Sequence, residues 1–219
     1  MKITLNDAGK RFNRDWIFRH LNYEFNTGHS YAITGPNGSG KSTLLQSIAG
    51  AIGISEGVIH YAGAGAHAAT AGTHAATATA VIPPEHAYRH LSLAAPYLQL
   101  IEEMTVTEFL HFHAAFKPLL PGTPAAEIIR RVGLETAAHK QIRYYSSGMK
   151  QRVRLAQALY SDTSIVLLDE PCTNLDTDGI ALYQQLIREN TRDRMVIVSS
   201  NDLQEYDFCE ERINIMRYK

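Results

Sequence analysis

Residues 30 to 43 read SYAITGPNGSGKST, a short apolar run that breaks into a glycine-rich loop and then into the helical pattern STLLQSIAG. Gly35 and Gly40 bracket Pro36, Asn37, Gly38 and Ser39, and Lys41, Ser42 and Thr43 follow. The glycines permit backbone conformations and close approaches that a Cβ would block, so successive N–H groups can converge on phosphate oxygens. Lys41 brings a point charge to the terminal phosphates, Ser42 a hydroxyl for Mg²⁺, and the helix start the positive end of its dipole. No other feature constrains the fold as strongly. It requires a strand leading in, a helix leading out, and a nucleotide at the carboxyl edge of a mostly parallel sheet.

The 219 residues can bury a substantial core as one domain with a subdomain. With 21 basic and 22 acidic residues the net charge is -1, which gives no global field for nucleic acid or an anionic membrane. Cys172 and Cys209 have no metal-ligand spacing and are expected to be buried free thiols in a reducing compartment. There is no apolar run of about 18 residues and no signal-peptide core at the start, so neither spanning nor export is expected.

Short apolar runs in the first 34 residues (ITL, WIF, YEF, SYAIT) predict antiparallel strands and then one central strand at 31 to 34. Residues 62 to 80 contain only Ala, Gly, Thr and His and are expected to be a flexible loop, with His67 and His74 incidental. His86 and His90 are spaced to share a helix face but lack a third metal ligand; His111 and His113 would point apart. Helices are expected over 105–116, capped by Thr105 or Thr107, over 124–134 with Pro124 in the first turn, from Ser147 to Tyr160, and near 178–190. The runs SIVLLD and MVIVSS alternate with them as strands, implying a parallel sheet with right-handed crossovers.

SIVLLDEP ends a buried-strand pattern in two carboxylates. Asp169 would reach the sheet edge to hold Mg²⁺, and Glu170 would polarise an attacking water. YSSGMKQRVRLAQAL, at 145 to 159, sets Ser146, Ser147 and Gly148 before a basic amphipathic helix. These residues form either a second phosphate cradle or an ordinary serine cap. One nucleotide does not need two cradles from one chain, whereas two chains packed head to tail would use both.

In their order, GPNGSGKST, YSSGMKQR, IVLLDEP, CTNLD and VIVSSND make the chain resemble an ATP-binding cassette (ABC) ATPase over nearly its whole length. The resemblance implies a P-loop fold with a parallel core sheet, N-terminal antiparallel strands and a small helical subdomain. It implies one domain over 1–219, with the nucleotide-binding core at 1–95 and 160–219 and the helical subdomain at 96–159. It also implies ATP and Mg²⁺ as ligands, a second ATPase subunit (a homodimer), a separate membrane permease, no nucleic acid, and a cytoplasmic place on the inner face of the membrane. YSSGM stands where the family carries LSGGQ, with Tyr145, Ser147 and Met149 departing from it; Asp176 falls on the dimer-contacting aspartate. Phe12 fits the aromatic that stacks on adenine, with Trp16 as the alternative, and SSGMKQR is similar to bacterial ABC exporters.

Two departures touch the chemistry. Pro96 stands where the family has a glutamine that contacts Mg²⁺, with Gln99 out of register, and Asn201 stands where it has a histidine at the γ-phosphate. They leave two readings, a hydrolysing transport ATPase and a slow ATP-dependent switch. A soluble cassette protein acting on ribosomes or DNA would need tandem cassettes, long coiled coils or zinc modules, and none is present in the sequence.

Overall fold

The computed structural model describes residues 1–64 and 79–219. A long hairpin comes first, β1 (Lys2–Phe12) and β2 (Asp15–Asn26), followed by β3 (Ser30–Thr34), the glycine-rich loop and α1 (Lys41–Ile48). Next are β4 (Glu56–Ala64), β5 (Thr79–Ile82), a 3₁₀ turn over Pro84–His90 and β6 (Leu91–Ala94). The helices α2 (Val106–Phe116), α3 (Ala125–Arg131) and α4 (Ser147–Leu159) precede β7 (Ile165–Asp169). The chain finishes with α5 (Thr177–Asn190), β8 (Met195–Ser199), α6 (Leu203–Tyr206), β9 (Glu211–Asn214) and a 3₁₀ turn at Ile215–Tyr218.

Two sheets form among the described residues. An antiparallel one has the order β2-β1-β4-β5, and a parallel one the order β6-β7-β8-β3-β9. This is the expected α/β architecture, with N-terminal antiparallel strands beside a parallel core. Alternation along the parallel strands assigns their side chains to two cores. Ile33, Ile165, Leu167 and Ile197 pack with α1 and the antiparallel sheet. Ala32, Val166, Leu168 and Val198 pack with side chains of α2 to α5.

Helix ends follow local chemistry. Thr105 caps α2 in a reciprocal capping box with Glu108. Pro124 is the N-cap of α3 rather than a first-turn residue, and α3 ends earlier than expected, shortly before Gly133 at φ 67°. The expected loop at 62–80 needs correction at both ends. Ala62, Gly63 and Ala64 pair with Val81, Ala80 and Thr79, because β1 offers β4 a ready edge whatever its side chains. The rest of that expectation, His67 and His74 included, lies outside the described residues.

Candidate functional site

The loop between β3 and α1 takes its shape from its glycines. Gly40 has φ 95°, and a Cβ there would stand 2.2 Å from Cγ2 of Ile17 on β2. At Gly35 a Cβ would meet Ser39 Oγ at 2.8 Å and Ile215 at 2.9 Å. The tight packing leaves room for backbone alone. Inside the loop, the Ser39 N–H donates to Pro36 O at 3.1 Å. Lys41 is 4% exposed, and its Nζ donates to the carbonyls of Gly35 (3.0 Å) and Pro36 (3.3 Å), so its ammonium bridges the first two carbonyls of the loop.

β8 runs between the strand that feeds this loop and the strand that carries the acidic pair. Its last residue, Ser199, is in register with both Ile33 and Asp169, so three strand ends finish level. Asp169 is 2% exposed, and its Oδ1 has no hydrogen-bond partner; the buried Oγ atoms of Ser199 and Ser39 also have none. Burial raises the Asp169 pKa, while the Lys41 charge and the nearness of the Ser199 and Ser42 hydroxyls, which form no hydrogen bond to it here, oppose the rise. A buried, unpartnered carboxylate oxygen near a serine hydroxyl is the donor set of a hard cation such as Mg²⁺, so these residues fit that ion.

The Glu170 N–H extends the ladder by donating to Ser199 O at 2.9 Å, and its backbone then turns left-handed at φ 42°. That turn puts Glu170 in one cleft with Asn37, Gly38, Lys41, Ser42 and Thr43. Asn201 reaches the loop directly, its Nδ2 donating to Asn37 Oδ1 at 3.1 Å. It does not cap the helix that follows: Asp202 does, accepting from the Gln204 N–H.

The second set of residues gathers elsewhere. Ser146 caps α4, accepting from the Met149 N–H at 3.2 Å, so the ordinary capping role is filled. Ser146, Ser147 and Gly148 nevertheless line a cleft with Asn174 and Asp176. A Cβ on Gly148 would lie 2.9 Å from Asn174 O, so glycine allows that close approach. Asp176 caps α5 through the Gly179 N–H (2.8 Å) and lies 3.8 Å from Arg152. This cleft and the loop cleft share no residue.

Some predicted residues stay apart from both clefts. Phe12 is 49% exposed at the end of β1, with Lys10 Nζ 4.9 Å from its ring. Trp16 is flanked by the guanidiniums of Arg11 and Arg19. Pro96 and Gln99 line a separate cleft beyond β6 with Tyr97 and Arg154. No group of three or more His, Cys, Asp or Glu able to hold a metal occurs among the described residues, and Cys172 and Cys209 are buried free thiols. Nor is any described helix long and apolar enough to cross a membrane.

Three contributors escaped the sequence reading. Ile17 and Ile215 pack against loop glycines. Glu205 is 4% exposed and accepts the Cys172 N–H at 2.7 Å, tying the segment after β8 to the segment after the acidic pair. Burial raises its pKa. Nothing in DLQEY signals this, because a charged residue on a short polar turn reads as solvated.

The family model described as ABC transporter matches residues 18–173. The chain is 33% identical over 203 residues to the cytochrome c biogenesis ATP-binding export protein CcmA of Brucella abortus, covering 90% of this chain and 83% of that protein. It is 29% identical over 202 residues to the phosphonates import ATP-binding protein PhnC 2 of Oceanobacillus iheyensis, covering 87% of this chain and 76% of that one. A putative ABC transporter ATP-binding protein from Pyrococcus furiosus shares the fold with a TM-score of 0.79 at 21% identity, all of both chains being covered. MJ0796, a bacterial ABC transporter cassette with a dimeric structure, superposes with a TM-score of 0.76 at 22% identity over 97% of this chain and 94% of that one.

Proposed function

The chain belongs to the ABC transporter family and is an ATPase of that family, whose ATP-binding members hydrolyse ATP to power transport; on that premise we propose a subunit that pairs with a second copy around two MgATP and drives a separate membrane permease. The observation that carries the reading is the separation of the two clefts. Lys41 and Glu170 line one, Ser146, Ser147 and Gly148 the other, and no residue is shared. Each is half a site, and head-to-tail pairing would complete both.

In this reading the loop amides from Gly35 to Thr43 and the Lys41 ammonium bind and orient the phosphates. Ser42 and Asp169 would hold Mg²⁺, which when bound neutralises phosphate charge. Glu170 aligns and polarises water, Asp176 contacts the partner copy, and Phe12 stacks on the base. Residues 96 to 159 form the helical subdomain, with the surface over 96 to 145 meeting the permease at the cytoplasmic face of the membrane. Export is favoured by the SSGMKQR form and by relatives named as export proteins, although a relative named as an import protein is also similar.

A second reading, a slow ATP-dependent switch, rests on Asn201. Its amide can donate to a phosphate oxygen but cannot carry a proton as imidazole does. If the imidazole interaction acts mainly in the transition state, doing without it would cost roughly 10²- to 10³-fold in rate.

ATP turnover by the purified chain across protein concentration decides between the two. A transport ATPase gives turnover that rises faster than linearly and is abolished by Lys41→Ala and Glu170→Gln. Tight ATP binding without turnover, restored by Asn201→His, would replace it with the switch. Linear turnover that ignores both substitutions would remove both readings.

A further inference from the structure

The last residue of the sequence reaches the back of the phosphate loop. Lys219 Nζ donates to the carbonyl of Ser39 at 2.7 Å and to the carbonyl of Ile17 at 2.8 Å. Ile17 is the β2 residue whose Cγ2 fills the space beside Gly40. One ammonium therefore joins the antiparallel sheet to the loop at the point where the two already touch. Ile215, fully buried, packs against Gly35 and anchors the 3₁₀ turn that carries Lys219 there.

A trans peptide fixes its C=O and its N–H in opposite directions within one plane. The Ser39 carbonyl and the Gly40 N–H belong to the same peptide unit. Holding the carbonyl against Lys219 therefore aims the Gly40 N–H the other way, away from the 3₁₀ turn. A cationic donor on the carbonyl also polarises the peptide, which makes its N–H a stronger donor toward an anion. Gly40, at φ 95°, is the N-cap of α1, and no side chain of its own restrains that rotation.

We propose that Lys219 is a positioning residue for phosphate binding, a clamp that acts through the Ser39–Gly40 peptide and not by touching the nucleotide. The proposal rests on the reading of the loop as the phosphate site. It assigns Lys219 a part in affinity that packing does not require: Lys219 is exposed, and the fit of the turn is supplied by Ile215.

The test is MgATP titration of the full chain as Lys219→Ala, Lys219→Met, Lys219→Arg and Lys41→Ala, beside the nucleotide-free melting temperature and the Gly40 amide resonance. Lys219→Ala and Lys219→Met are expected to weaken ATP binding roughly 3- to 10-fold, the range of one ordinary hydrogen bond, because the cation acts on the nucleotide only through the peptide. The Gly40 resonance should shift while the nucleotide-free melting temperature stays within about 2 °C, and Lys219→Arg should keep most of the affinity. Unchanged ATP affinity in Lys219→Ala overturns the proposal, as does a weakening matched by Lys219→Arg and by a lower nucleotide-free melting temperature. If Lys41→Ala also binds ATP normally, the phosphate-loop reading has failed; normal binding in the Lys219 variants alone sinks only the clamp.

Discussion

Glu170 and Asn174 hold left-handed backbone although neither is glycine, with φ of 42° and 66°. Such a conformation costs an ordinary residue about 1 to 2 kcal/mol, and it persists here because the ladder bond to Ser199 O and the Thr173 N–H to Glu170 O bond determine the turn. Strain retained at a carboxylate that shares a cleft with Lys41 separates stability from activity at one residue. Glu170→Gly should unfold at urea concentrations no lower than the parent, gaining up to about 1 kcal/mol, while losing ATP turnover. A variant that is clearly less stable would show that the Glu170 side chain supports the turn. Residues of this kind were legible in the sequence where their context is local. Gly40, Lys41 and Asp169 sit in contiguous motifs whose strand and helix flanks announce themselves. Ile17, Glu205 and Lys219 were not legible, because they reach the site through pairing and packing with residues far along the chain.

Among the elements, α2 carries a pH-sensitive contact. His113 Nε2 lies 2.8 Å from Ser161 Oγ, and that hydroxyl donates its proton to Gln157 O at 2.6 Å. The hydroxyl therefore accepts from the ring, which fixes neutral His113 with its proton on Nε2. Burial, followed by the Lys117 charge, lowers the His113 pKa to about 4. Its contribution to stability is then fully present above the unfolded value near 6.5 and is lost as the pH falls toward about 4. The parent should lose roughly 2 kcal/mol more than His113→Gln between pH 7 and pH 4. Equal acid sensitivity in thermal melts at the two pH values would remove His113 from the account. The strand ends at Ala62–Ala64 and Thr79–Ala80 carry the converse lesson. Their composition argued for a loop, and pairing with an adjacent strand overrode it.

For the molecule as a whole, the parallel sheet is a partition with a core on either side. Leu167 and Leu168 are adjacent, both fully buried, and belong to opposite cores. Each Leu→Ala change should destabilise the chain by about 2 to 5 kcal/mol. Both variants should still unfold in a single urea transition, since one strand feeds both cores. Two resolved transitions in either variant would mean that the faces unfold separately. The expected α/β architecture was legible because helices alternate with apolar strands, but the strand order was not, since alternation does not say which strands are neighbours. That order has a consequence for synthesis. β3, which leads into the glycine-rich loop, is made well before its ladder partners β8 and β9, which begin at Met195 and Glu211. A chain emerging from the ribosome therefore carries β3 unpaired until the segment from Met195 onward has been made, and only then can hold the glycine-rich loop at the edge of a finished sheet.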